Sequence, residues 1–269
     1  MRSIRLTSLC LVVASAIGAL AASPASALPE FGRCVPVTAP TGNHSNAQCI
    51  GPAGPPAGRV FKWEKTVPEP RFTSSGGVAE LQTESGTKIV CASESANGEL
   101  KAAASITQVQ HVVATFQGCE LPIFATTCQT AAHASGEIVT TMLKGPVHRI
   151  NALAKEVGLL LRPEVLTGPF AEFECGPVGK VKIGKGPRGG NNGVIAPITP
   201  VDEMQPSEVL TYSYESTPTV AQKPQKFELP LTLYNLEAKL GEGPFERAGL
   251  ALTTTITWLE PGGVELKQQ

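Results

Sequence analysis

Aspartate is almost missing from this chain: Asp202 is the only one. Calcium loops of the EF-hand type need several aspartates close together, and an aspartic-protease dyad needs two, so both are excluded. Histidine is scarce as well, with four residues, and no C-x-x-C pair occurs. That leaves little from which to build a structural zinc site. Aromatic residues make up 5% of the chain, and Trp63 and Trp258 are the only tryptophans. A sugar-binding module that stacks rings on exposed indoles has few candidates here. Basic clusters and long single-sign runs are also missing, which argues against nucleic acid as a partner. No G-x-S-x-G elbow is present, so the usual hydrolase signature is lacking. No metal or cofactor is expected.

The amino terminus has the three parts of an export signal. Arg2 and Arg5 come first, residues 9–22 are uncharged and mostly apolar, and Ala25-Ser-Ala27 forms a small-x-small cleavage site after Pro24. The apolar run falls short of the roughly 20 residues of a membrane span, and Cys10 lies inside it rather than behind it. Residues 1–27 are therefore expected to be a secretory leader and residues 28–269 a single β-rich domain. The mature chain carries no further apolar run of membrane length, and losing Arg2 and Arg5 takes the formal charge from −1 to −3. The expected location is secreted, or at the cell envelope.

Glycine and proline cut the remainder into short segments, several of which alternate or are rich in β-branched residues. Strands are expected at 59–64, 78–83, 87–92, 106–116, 137–143, 157–161, 170–175, 178–183, 209–214 and 251–258. Residues 51–58, 184–193 and 216–230 read as loops, and 184–193 is the place where the domain would divide if it did. One segment is ambiguous. Ile150, Leu153, Ala154 and Val157 have helical spacing between Pro146 and Gly158, yet a hairpin with its tip at 151–155 fits equally well. The expected fold is all-β, an antiparallel sandwich or irregular barrel with at most one or two short helices.

Six cysteines follow the leader: Cys34, Cys49, Cys91, Cys119, Cys128 and Cys175. An even number in an exported chain reads as a disulfide framework, with free thiols as the alternative. Six cysteines allow 15 pairings. Loop geometry favours Cys34 with Cys49 and Cys119 with Cys128, because each pair encloses a short proline-containing segment. Cys91 and Cys175, each at the end of a strand-like run, would then pair across the fold. Cys34 with Cys91 is the main rival.

Other residues support a resemblance. Leu28-Pro-Glu-Phe-Gly-Arg-Cys34 follows the cleavage site, then Cys49 and Cys91. Phe116-Gln-Gly-Cys119, Cys128, Gly136-Glu-Ile, Val157-Gly-Leu and Phe170-Ala-Glu-Phe-Glu-Cys175 complete the series. This order resembles a family of uncharacterised exported proteins from soil actinobacteria, from about Leu28 to Ile183. The resemblance implies compartment and framework but no activity. This chain departs from it at Asn43-His-Ser-Asn46, where the family tends to have an aromatic and an acidic residue. It also departs in the helix-like pattern of 146–156, where the family implies a hairpin.

Four sets of residues are candidates for a site. Gly184, Gly186 and Gly189 spell G-x-G-x-x-G, but a dinucleotide site needs a helix to open there, and Pro187 with the glycines beyond it argues for a plain loop. His44, His111, His133 and His148 with Asp202 could supply a base and its orienting group, as could almost any chain of this length. Glu172 and Glu174 should share one face of a strand, about 7 Å apart at the backbone, near the separation used by inverting glycosidases. A solvated strand face is the plainer reading. Tyr212 and Tyr214 share a strand face with Leu210 and could form a small aromatic platform, or simply pack. A non-catalytic exported binding or structural protein is the expected function. An extracellular hydrolase, glycan-type with Glu172 and Glu174 or based on a histidine with Asp202, is the alternative.

Overall fold

A computed structural model describes residues 28–49, 54–65, 70–101, 107–187 and 189–268. The leader with Cys10, the first part of the 51–58 loop, Ile106 and Arg188 lie outside the described residues. Within them the regular structure is strand, apart from three short 3₁₀ turns at Pro56–Gly58, Pro122–Phe124 and Gly176–Val178.

The strands run in chain order as follows. First come β1 (Glu30–Pro36), β2 (Phe61–Glu64), β3 (Arg71–Gly76), β4 (Ala79–Thr83), β5 (Lys88–Cys91) and β6 (Ser93–Leu100). Next are β7 (Gln108–Gln117), β8 (Glu120–Leu121), β9 (Thr126–Gln129), β10 (Ile138–Val139), β11 (Leu143–Asn151) and β12 (Glu156–Pro163). Then follow β13 (Ala171–Cys175), β14 (Gly179–Gly184), β15 (Asn191–Asn192), β16 (Val194–Thr199) and β17 (Met204–Gln205). Last are β18 (Ser207–Glu215), β19 (Ala221–Lys223), β20 (Tyr234–Leu240), β21 (Phe245–Trp258) and β22 (Val264–Lys267).

The pairings close an eight-stranded antiparallel barrel. Its circuit is β3–β6–β7–β11–β12–β16–β18–β21 and back to β3. The strands outside it form a second closed circuit, β4–β5–β8–β9–β13–β14–β20–β21 and back to β4. Strand β21 belongs to both. Its residues 252–257 pair with β18, and 248–251 pair with β4. The two rings therefore stack along one strand. Period-two alternation fills both interiors: Leu159, Leu210, Leu252 and Ile256 point into the first ring, Ile89, Phe173, Val181 and Leu236 into the second, and all belong to one core.

A third element, the small sheet β17–β22–β1–β2, lies against the first ring. Trp258 at the end of β21 packs edge-on against Phe31 of β1 and Phe72 of β3, with ring centroids 5.6 and 5.5 Å away. The sequence reading of Trp258 as core agrees with this.

Strand β12 has an apolar run with no alternation, and the structure supplies the reason. Leu159 and Leu161 face the barrel interior, while Leu160 on the outer face is buried under Phe227 together with Ile195 and Tyr234. Both faces are covered, so both are apolar. The ambiguous segment resolves as a hairpin: β11 and β12 pair antiparallel, and residues 152–155 form the turn. The helical spacing is coincidental, since Leu153 is fully out in solvent at the tip. The 184–193 stretch does not separate two sheets, because strands on either side of it pair, β12 with β16 and β14 with β20.

The disulfide scheme needs correction at two of its three bridges. Cys34 bonds to Cys49, but Cys91 bonds to Cys119 and Cys128 to Cys175. Cys119 and Cys128 are indeed neighbours, with the Cys128 N–H donating to the Cys119 carbonyl at 2.9 Å. Each nevertheless has a second neighbour on its other side. Strand β8 also borders β5, which carries Cys91, and β9 borders β13, where Cys128 stands directly opposite Cys175. The bridges follow those outer neighbours.

Candidate functional site

On the outside of the second ring lies a groove of about 400 Å³. Its floor comes from β13, where Phe173 and Cys175 turn inward and leave Glu172 and Glu174 facing out. The 130–141 segment forms one wall with Thr130, His133 and Thr141, and Lys180 of β14 stands opposite. The wall is held by its own hydrogen bonds. The Thr130 hydroxyl accepts the Val139 N–H at 3.0 Å, and the Thr141 hydroxyl donates to the Pro169 carbonyl at 2.8 Å. His133 Nδ1 lies 2.7 Å from Glu137 Oε1.

The two carboxylates differ in their surroundings. Glu172 is clamped by Lys182 at 3.1 Å and Lys180 at 3.3 Å. Burial pushes its pKa up, but the two ammonium groups outweigh burial and hold it below the usual carboxylate range. Glu174 is exposed and has no ion pair among the described residues. The shared face expected from the sequence is therefore present, with one carboxylate neutralised and the other open.

The tyrosine platform is overturned. Leu210 and Tyr212 face inward, Thr211 and Ser213 take the solvent side, and Tyr214 at the end of the strand is half-buried. Tyr212 is buried inside the first ring, where burial and then the nearby Glu94 raise its pKa. Tyr214 is half-buried; its ring lies on Gly249, where an added Cβ would fall 2.4 Å from the tyrosine's own Cβ. Its hydroxyl is bonded to Glu80 and, at 2.7 Å, to Gln82. Neither ring is available to a ligand.

The histidines are scattered. His111 bonds Glu99 at 2.6 Å, His133 bonds Glu137, and His148 packs on Phe227 with centroids 5.0 Å apart. Burial lowers the His148 pKa. Asp202 accepts the Gln268 N–H at 2.8 Å, and among the described residues no imidazole bonds it. Gly184, Gly186 and Gly189 sit at the end of β14 and in the loop beyond, where no helix opens. Among the described residues no group of three or more His, Cys, Asp or Glu side chains is placed to hold a metal.

Sequence reasoning missed the polar groups inside the first ring. Glu94 of β6 is buried and accepts hydrogen bonds from Ser74 at 3.0 Å and Thr254 at 2.6 Å. Burial raises its pKa despite both bonds. Glu208 of β18 is buried near Trp258, and burial outweighs the indole's lowering effect and pushes it up to about 8. Parity was the available signal, because Glu208 alternates with Leu210 and Tyr212. The interior is still not a ligand chamber. Its voids measure about 40 and 60 Å³, below the ~150 Å³ of an apolar cavity that accepts benzene. The outer groove reaches the size of a small-molecule site, roughly 300–1,000 Å³. Compared with protein-family models, with curated proteins and with solved structures, the chain matches none.

Proposed function

We propose that this chain is an exported, non-catalytic binding protein whose ligand sits in the groove beside Glu174. The observation that carries the reading is the asymmetry of the two carboxylates. Glycosidase carboxyls flank the scissile bond, whereas Glu172 and Glu174 project from one face of one strand, and Glu172 is committed to Lys180 and Lys182. What remains is a fixed arrangement of one open carboxylate, hydroxyls and an imidazole, suited to orienting a polar ligand by hydrogen bonds. Export rests on the leader motif and is consistent with three disulfides and with the lack of any membrane-length apolar helix among the described residues.

The test pairs capture with turnover. Oxidised protein immobilised and exposed to envelope extract and to a glycan panel should retain a polar ligand, and Glu174→Gln should weaken that retention roughly tenfold or more, the scale of losing one charged hydrogen bond. Undiminished binding by Glu174→Gln would remove the groove from the proposal. Turnover of a glycan, ester or peptide substrate would overturn the non-catalytic reading, and its loss in Glu174→Gln would mark the glycan-type hydrolase instead.

A further inference from the structure

A second surface, apart from the groove, carries an inference of its own. Four leucines are exposed on two adjoining loops: Leu153 at 98%, Leu229 at 70%, Leu231 at 66% and Leu233 at 49%. Leu153 is the tip of the β11–β12 hairpin. The other three alternate along the segment between β19 and β20. Hydrogen bonds hold the loops together. The Glu228 N–H donates to the Arg149 carbonyl at 2.9 Å, and the Ala152 N–H donates to the Glu228 carboxylate at 2.8 Å. The residues next in the chain, Leu153 and Leu229, are thereby neighbours.

The second loop is also fixed from below. Phe227 is buried with Leu160, Ile195 and Tyr234, and the Tyr234 N–H donates to the Gln225 carbonyl at 2.8 Å, closing the loop at its base. The leucines are thus presented on a tethered, convex rim. Aliphatic side chains held this far into water call for an explanation.

The charges beside them indicate what the rim meets. Lys155 follows the hairpin tip and Lys226 opens the loop; both are exposed and neither forms an ion pair among the described residues. Half-buried Arg149 adds a third cation where its carbonyl meets the second loop. Of the acids nearby, Glu228 is turned to the Ala152 N–H, leaving Glu156 behind the tip. The exposed lysines on the molecule's strands, Lys62, Lys88, Lys180 and Lys223, are paired, whereas Lys155 and Lys226 lie off the strands and are open. Four leucine side chains also offer less than the roughly 800 Å² per partner that a stable protein interface buries. Insertion of a few aliphatic tips with lysines at headgroup level needs no such area.

We propose that this rim docks on an anionic lipid surface, with Leu153, Leu229 and Leu231 entering the acyl boundary and Lys155 and Lys226 at the headgroups. The test uses the chain from Leu28 to Gln269, which holds every described strand and all three disulfides and lacks the apolar leader. Flotation with phosphatidylcholine vesicles containing phosphatidylglycerol should recover the protein, and recovery should drop with added salt and with pure phosphatidylcholine. A Leu153→Ser/Leu229→Ser variant and a Lys155→Glu/Lys226→Glu variant should each cut partitioning roughly tenfold or more, with circular dichroism unchanged because all four residues are exposed. No recovery of the parent protein on anionic vesicles would overturn the proposal, as would equal recovery of both variants. A dimer in sedimentation velocity that Leu153→Ser/Leu229→Ser abolishes would assign the rim to a second copy of the chain and overturn it too.

Discussion

The two rings reach closure by different means. The first uses long ladders: β7, β11 and β18 run nine or ten residues, and every adjacent pair shares at least two residue pairs in register. It contains no disulfide. The second is built from short strands, and its ladders between β5 and β8 and between β9 and β13 hold one and two residue pairs. Those are the two junctions crossed by covalent bonds, Cys91 to Cys119 and Cys128 to Cys175. At those two junctions a disulfide reinforces a short ladder, whereas β8–β9 and β16–β18, with two residue pairs each, have none. The rings also treat charge differently. The acids facing the first interior, Glu94 and Glu208, are raised by burial. Two on the second ring's outer face are lowered, Glu80 chiefly by the Tyr214 hydrogen bond and Glu172 by its lysines over the opposing effect of burial.

The sharpest way to break this contrast is to cut one seam. Replacing Cys128 and Cys175 with serine frees a 47-residue loop, which in the chain-entropy model costs on the order of 4 kcal/mol. Hydrogen exchange should show lost protection in β5, β8, β9 and β13 while β7, β12 and β18 stay protected. Uniform loss across both rings would show that the first cannot stand without the staple of the second.

A second experiment acts on the first ring alone. Burial raises Glu208 from the ordinary glutamate value of about 4.5 to about 8 in the folded protein. With its folded pKa raised, its contribution is fully present below about pH 4.5 and is lost as pH climbs to about 8, at about 1.4 kcal/mol per unit. Denaturant midpoints of Glu208→Gln should match the parent near pH 5 and exceed it near pH 9. An unchanged pH slope in the variant would place the ionisation elsewhere.

The smallest effect is expected on the second ring's surface. Glu172→Gln removes a half-exposed carboxylate from two lysines, worth less than about 1 kcal/mol. Its lowered pKa means that the contribution is present at neutral pH and lost as pH falls through the folded value. A larger loss in thermal unfolding would mean that the ion pairs hold β13 to β14 more firmly than their exposure implies.

The sequence made the fold class and several strands legible, because β13, β18 and the end of β21 alternate cleanly. It concealed β3 and β6. Their sequences, Arg-Phe-Thr-Ser-Ser-Gly and Ser-Glu-Ser-Ala-Asn-Gly-Glu-Leu, look like loops, since the inward positions include Ser74 and Glu94, which satisfy one another inside the barrel. The pairing of Glu172 with Glu174 was readable from period two, but its two lysines were not, because only the β13–β14 register brings Lys180 and Lys182 opposite. Tyr212 and Tyr214 show the limit of parity, which groups residues onto a face without saying which face meets water. The cysteine error has the same root, since proximity in the chain identified a neighbour and not the partner.

Because β21 closes both circuits, timing during synthesis follows from its place near the end of the chain. Strands β3 and β4 are made early, yet their partners on one side are residues 248–258. Until that stretch leaves the ribosome, each ring is an open sheet with bare edges, and an unpaired edge invites other chains. Nascent protein of this kind has to be kept apart from its neighbours for most of its elongation, and the last strands then act as a common clasp that shuts both rings in one event.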